Sequence, residues 1–236
     1  MEKLKLTSSQ LPSYTMTLPI SGIVAKYRPF LVKEEKVLLI AAQSGDMNQI
    51  VDAMRNIISA CTNGLLDTKK LCTADAEYAF LQIRMKSVGE EVKPQIACST
   101  CQTKTGIRIN LQEVKVKKVE KESVDSTVKI NDQISLVLRY PSMHDVDYSK
   151  SEIDAIFGIA KDCIESVIFG DNVYGKDDID PKELADFVDN LLPEQFEQIM
   201  KFVKTTPELV YGFKYTCPSC KKLVETEVKS VSDFFQ

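Results

Sequence analysis

Two short cysteine motifs, Cys98-Ser99-Thr100-Cys101 and Cys217-Pro218-Ser219-Cys220, constrain this chain more than any other feature. A two-residue gap lets one tight turn present two thiolates to a metal ion, and a closed tetrahedral site needs four ligands. Each turn leaves two corners open, so the pairs complete one site only by meeting face to face. Residues 102–216 lie between them, a far longer gap than inside a compact zinc ribbon. The expectation is a discontinuous ribbon of two strand–CxxC–strand hairpins, with the helical segment between them leaving and returning at one place. Cys98, Cys101, Cys217 and Cys220 would hold one structural Zn2+ per chain. Lys93, Lys104, Lys214, Lys221 and Lys222 stand close enough in sequence to offset the double negative charge of four thiolates around zinc. Zinc knuckles commonly carry Gly after the second cysteine, where the chain needs a positive φ. Here Gln102 and Lys221 occupy those positions.

Other cysteine chemistry fits less well. A thioredoxin-like pair expects a helix opening at its first cysteine, whose N-terminus lowers the thiol pKa, and neither pair opens a helical pattern. An odd total of seven cysteines argues against a fully paired secreted framework, and a reducing compartment is expected. Cys61 and Cys163 sit on apolar helical faces, and with Cys72 they read as small buried hydrophobes.

The remaining chemistry is sparse. His144, in Pro141-Ser142-Met143-His144-Asp145, is the single histidine and reads as a solvated loop residue. Nine scattered glycines form no phosphate-binding loop. Asp177-Asp178-Ile179-Asp180 lacks the alternation and terminal Glu of a calcium loop and suits a helix start. Lys115-Val116-Lys117-Lys118-Val119-Glu120-Lys121 reads as an exposed strand whose lysines guard its edge. A net charge of −4, no Trp and 8% aromatic residues argue against a nucleic-acid surface. Val37 to Ala42 is the longest apolar run, far short of a membrane span, and the opening Met1-Glu2-Lys3-Leu4-Lys5-Leu6 lacks a secretory apolar region.

Periodicity divides the chain into five stretches, with one or two compact domains overall. Residues 1–33 form an extended, proline-punctuated arm whose Ile20, Ile23, Val24, Tyr27 and Phe30 dock either on the chain's own domain or on a partner. Residues 34–91 are helical: a short helix over 34–42, a second capped by Asp46 with a stripe from Met47 to Cys61, and a third capped by Thr73 and stopped by Gly89. Residues 92–141 alternate with period two and form a small antiparallel sheet holding the first cysteine pair. Residues 142–206 are a helical insertion. One face runs from Ile153 through Ile164, Val167 and Ile168, a loop spans Gly170 to Asp180, and Asp180-Pro181 opens the next helix. Residues 207–236 hold the second cysteine hairpin and a tail ending Phe234-Phe235-Gln236, whose aromatics pack in the core or on a partner. The fold class is α+β.

Several stretches together carry a resemblance: Leu18-Pro19-Ile20-Ser21-Gly22, Tyr27-Arg28-Pro29-Phe30-Leu31-Val32-Lys33-Glu34-Glu35, the helix through Ile57-Ile58 to Cys61, the strand ending Leu138-Arg139-Tyr140-Pro141, and the two CxxC units. In this order, over nearly the whole chain, they resemble the baseplate hub and hub-assembly proteins of T-even-type contractile-tail phages. The resemblance implies a non-enzymatic assembly role among other baseplate and hub proteins, with no nucleic acid, membrane or small-molecule substrate as partner. It implies a place in the host cytoplasm during assembly or in the virion tail. The competing reading is a zinc-ribbon nucleic-acid-binding or transcription-related module.

Overall fold

The computed structural model describes residues 11–117 and 125–229. The chain opens with a hairpin, β1 (Tyr14–Thr17) and β2 (Val24–Tyr27), in the register Tyr14↔Tyr27 to Thr17↔Val24. Three helices follow: α1 (Val32–Ser44), α2 (Met47–Cys61) and α3 (Thr73–Ser87). Short strands β3 (Glu91–Val92), β4 (Gln95–Ala97), β5 (Lys104–Gly106), β6 (Ile109–Asn110) and β7 (Lys115–Lys117) surround the first cysteine pair. Beyond residue 124 come β8 (Thr127–Lys129), β9 (Ile134–Leu138), α4 (Glu152–Asp162), β10 (Ile164–Phe169), β11 (Asn172–Gly175), α5 (Pro181–Asp189) and α6 (Pro193–Val203). Strands β12 (Glu208–Thr216) and β13 (Leu223–Val228) form the second cysteine hairpin. The mixed α+β class expected from periodicity is what the chain adopts.

Within the stretch read as an extended arm, residues 11–33 are described and fold back on the chain itself. Alternate positions of the hairpin face inward, so Met16, Leu18, Ala25 and Tyr27, with Phe30 beyond, are buried against α2 and α3. The prolines lie outside the paired residues, where a missing N–H costs no ladder bond. The tip is pinned by a carboxylate: Asp75 of α3, 1% exposed, accepts the backbone N–H groups of Ile20 and Ser21 at 2.8 Å each. Helix α2 follows its sequence pattern, with Asp46 accepting the N–H of Asn48 at 2.8 Å and Val51, Met54, Ile57, Ile58 and Cys61 buried. At α3 the cap is Cys72 rather than Thr73, whose hydroxyl instead donates to the Pro141 carbonyl at 3.1 Å. Helix α1 behaves differently: Ala41 is its one buried residue, while Leu39 and Ile40 are 57% and 55% exposed.

A second apolar core lies under a four-stranded sheet of order β11-β10-β9-β8, covered by α4, α5 and α6. Here the helical reading of Ile164, Val167 and Ile168 needs correction. The helix ends with Cys163 as its cap, and these residues begin β10, which pairs antiparallel with β9 as Val167↔Leu136 and Phe169↔Ile134. β-Branched side chains suit a half-buried pleated surface, and a short apolar run fits either period. Gly170 then turns the chain at φ 57, and the expected loop contains β11. The single sheet expected over 92–141 is likewise divided: β7 joins β12, whereas β8 and β9 join β10. Asp180 caps α5 with Pro181 at its first turn, as the sequence suggests.

One ion-paired clamp occurs in both cores. Arg28 makes two bonds to Glu34, of 2.9 and 2.6 Å, and its backbone N–H donates to the carbonyl of Cys61 at the end of α2. Arg139 makes two bonds to Asp145, of 2.7 and 3.0 Å, and its N–H donates to the carbonyl of Cys163 at the end of α4. In each case the carboxylate also accepts a nearby backbone N–H, from Leu31 or Ser142, at 2.6 Å. The Arg28 bonds hold Glu34 below the ordinary carboxylate range. At Asp145 burial opposes ionisation, but the bonds from Arg139 and Ser142 prevail and its pKa is also lowered. Burial pushes the Cys61 thiol up to about 11 and Cys163 up to about 12, so both are neutral packing residues.

Two outcomes follow. Asp75→Ala removes the acceptor for two amides and lowers unfolding free energy by about 2–4 kcal/mol in urea titrations; an unchanged midpoint would contradict the pinning role. Because the folded-state pKa values of Glu34 and Asp145 are depressed, their contribution is present above the ordinary carboxylate pKa and fades as pH falls through the folded-state values. Asp145→Asn therefore costs about 2–4 kcal/mol at neutral pH, and its stability relative to the unmodified chain recovers in acid.

Candidate metal centre

The two cysteine turns are built alike. In the first, between β4 and β5, the Cys98 N–H donates to Thr103 O at 3.0 Å and the Gln102 N–H to Cys98 O at 2.9 Å. In the second, between β12 and β13, the Cys217 N–H donates to Lys222 O at 2.9 Å and the Lys221 N–H to Cys217 O at 3.0 Å. Both turns close through the residue after the second cysteine, and both need it in the left-handed region. Gln102 takes φ 59 and Lys221 takes φ 60. A side chain there costs about 1–2 kcal/mol relative to the right-handed region. The knuckle geometry is thus reached without the customary glycines, and the surrounding ladders hold it.

The turns meet because the strands beyond them do. β7, downstream of the first pair, is hydrogen-bonded to β12, upstream of the second, in the register Glu208↔Lys117 to Val210↔Lys115. The chain between them leaves and returns at neighbouring strands. The four Sγ atoms lie within 4.8 Å of one another, with Cys98 to Cys220 at 3.8 Å and Cys101 to Cys217 at 3.6 Å. These separations exceed a disulfide bond and match the edge of about 3.8 Å for a tetrahedron with metal–sulfur bonds of about 2.3 Å. The donor set therefore fits one tetrahedral ion. Cys98 and Cys217 are fully buried, Cys220 is half-buried and Cys101 is exposed. A small apolar cluster with Val224 and Tyr215 backs the site.

Local donors favour thiolate. Thr103 Oγ1 lies 3.3 Å from Cys101 Sγ and, with the Thr103 N–H, lowers its pKa to about 6. Backbone N–H groups of Cys101 and Thr100 lower that of Cys98. At Cys220 the Lys222 N–H pulls the same way, but burial and the neighbouring thiols push it up to about 11. Among the described residues, two buried hydroxyls have no protein partner, Thr105 Oγ1 and Tyr215 OH. Burial, and then charge on Cys98 and Cys217, raises the Tyr215 pKa.

The other sequence candidates stay outside this centre. His144 is exposed, with Nε2 3.2 Å from Thr68 Oγ1. Burial, then the charges of Arg55 and Lys69, lower its pKa. Asp178 accepts the Gly175 N–H at 3.0 Å and Asp180 caps α5, so these carboxylates serve turns. Lys115–Lys117 is the three-residue strand β7; Lys118 to Lys121 lie outside the described residues, as do Phe234 and Phe235. No helix among the described residues is long and apolar enough to cross a membrane. Sequence reasoning missed the Arg–carboxylate clamps, although Arg28-Pro29 and Arg139-Tyr140-Pro141 each precede a carboxylate six residues from the arginine.

Fold and centre together define an α+β protein in which two paired cysteine turns meet. The family model described as T4 bacteriophage base plate protein matches residues 11–236, and the chain belongs to that family. No curated protein and no solved structure matches it.

Glycine at either left-handed position relieves the backbone without touching a ligand. Gln102→Gly and Lys221→Gly should each leave metal content unchanged and alter stability by no more than about 1 kcal/mol, towards stabilisation, by thermal melting. A large loss would mean that these side chains, rather than their backbone, hold the turns.

Proposed function

We propose that this chain is a structural protein of the phage baseplate in which Cys98, Cys101, Cys217 and Cys220 bind one Zn2+ as a staple. The meeting of four sulfurs within 4.8 Å of one another carries the metal reading, and membership of the baseplate family carries the biological one. A closed four-cysteine site leaves no open coordination position for substrate, which is the pattern of structural rather than catalytic zinc. The metal would supply a cross-link between two hairpins distant in sequence. Thr103 and the backbone donors lower the pKa of Cys101 and Cys98, which favours the thiolates that would bind it.

The partners in this reading are other baseplate and hub proteins, met in the host cytoplasm during assembly or kept in the virion tail. Helix α1 supports a surface role, because Leu39 and Ile40 stand exposed on a helix that buries little of itself. A non-enzymatic role is consistent with the single exposed histidine in a loop.

Elemental analysis of purified protein should give one zinc per chain. Cys98→Ser and Cys217→Ser should each abolish that stoichiometry and lower the melting temperature. Metal-free protein with native-state reactivity at all four thiols would overturn the staple. His144→Ala should complement a phage lacking the gene. Leu39→Asp should retain the melting temperature of the unmodified protein yet fail to complement; normal plaque formation by Leu39→Asp would remove α1 from the binding surface.

A further inference from the structure

The modest net charge conceals a segregation along the chain. Residues 125–203 carry 17 Asp and Glu against 7 Lys and Arg. Residues 93–117 and 204–229, which form the cysteine hairpins and their flanks, carry 10 Lys and Arg against 4 Asp and Glu. A four-thiolate zinc centre adds two negative charges to the second set and leaves it positive.

Each charged region also presents an apolar feature. The acidic region holds a groove of about 430 Å³ between the β10–β11 hairpin and α5, floored by Ile134, Val167, Ile179 and Phe187. Phe169, 49% exposed, stands at its side. The charged residues lining it are Asp178 and Glu183, and no basic residue does. On the basic region, the tip of the β12–β13 hairpin presents Lys221 and Lys222 beside Leu223, which is 69% exposed. No ion pair forms at either lysine among the described residues, whereas Lys214, further along the same hairpin, pairs with Glu225 at 2.9 Å.

From this complementarity we infer that the chain self-associates head to tail. The Lys221-Lys222-Leu223 tip of one copy enters the Asp178–Glu183 groove of the next. Leucine fills an apolar floor that water otherwise covers, and the lysines meet the acidic rim. Groove and tip are both exposed on one monomer, so the contact joins different copies. A contact between two different patches is heterologous, and repetition closes a ring or extends a filament. Electrostatic attraction of exposed charges makes it salt-sensitive. This inference rests on the charge layout and the groove, and holds whether or not the chain works in a baseplate.

The test is sedimentation velocity of the zinc-loaded full chain over a concentration series, at about 50 mM and about 500 mM salt. The expected result is concentration-dependent association at low salt that is lost at high salt. Asp178→Lys/Glu183→Lys and Lys221→Glu/Lys222→Glu, each checked for melting temperature and zinc content, should each be monomeric alone. Mixed together they should associate, because each supplies the surface that the other has reversed. Leu223→Ser, which changes no charge, should weaken association about tenfold or more if the apolar contact is made. A monomeric unmodified chain at low salt, or a mixture of folded charge-reversed variants that stays monomeric, overturns the proposal. So does a monomer whose basic tip instead binds duplex DNA with a steep salt slope. Should the charge-reversed variants fail to fold, Leu223→Ser decides: association equal to that of the unmodified chain overturns the contact.

Discussion

Pairing of β7 with β12 is the constraint on which the rest of the architecture depends. The two cysteine turns are separated by most of the second core, and neither can complete a tetrahedral site alone. Three register pairs, Glu208↔Lys117 to Val210↔Lys115, bring the strands beyond the turns alongside each other. The sulfurs then lie within 4.8 Å of one another. A cross-link between residues about 120 apart reduces unfolded-state entropy by about 5 kcal/mol in the chain-entropy picture. The ladder and the proposed staple would thus act on the same closure, one through backbone bonds and the other through the thiols. Residues between the strands can form an independent core because their ends are held at neighbouring positions.

The Arg–carboxylate clamps solve a related problem inside each core. A helix that ends under a strand leaves carbonyls without partners, and the strand needs its N–H groups satisfied. Arg28 and Arg139 each donate a backbone N–H to the terminal helix carbonyl, at Cys61 and Cys163 respectively, while their side chains grip a carboxylate. The small thiol packs where the arginine arrives, and its burial-raised pKa keeps it uncharged. This gives a packing role to two of the three cysteines outside the paired turns: Cys61 and Cys163 terminate the helices on which the clamps close.

Much of this was legible in the sequence where a signal was local. Asp46 and Asp180 announced helix starts through side chains that reach the next turn, and α2 showed its buried stripe directly. The cysteine spacing announced a face-to-face site, although metal identity is not written in spacing. Long-range pairing was less legible. Ile164, Val167 and Ile168 satisfy a helical face as well as a strand, and only the partner strand β9 decides between them. The hairpin at residues 14–27 was obscured by its prolines, because nothing local says that Asp75 will receive the Ile20 and Ser21 amides. Gln102 and Lys221 show the same limit from the other side: neither residue signals a positive φ, yet the turns between the paired strands hold both in the left-handed region.

Charge is where averaging over the sequence misleads most. A net value of −4 describes no surface of this molecule. The region containing α4, α5 and α6 is strongly acidic and the cysteine hairpins are basic, so in the proposed self-association two copies would attract in one relative orientation and repel in others. Such a layout crowds like charges together, but most of them sit in water, where screening limits the repulsion among neighbours. It selects orientation before close contact, and the apolar groove and the exposed Leu223 would convert that selection into a lasting contact. A chain with the same composition but mixed charges would fold around the same cores and lose this directional information. Fold and the proposed assembly therefore rest largely on different residues: β-branched strands, clamps and cysteines set the first, and the exposed charges and Leu223 would set the second.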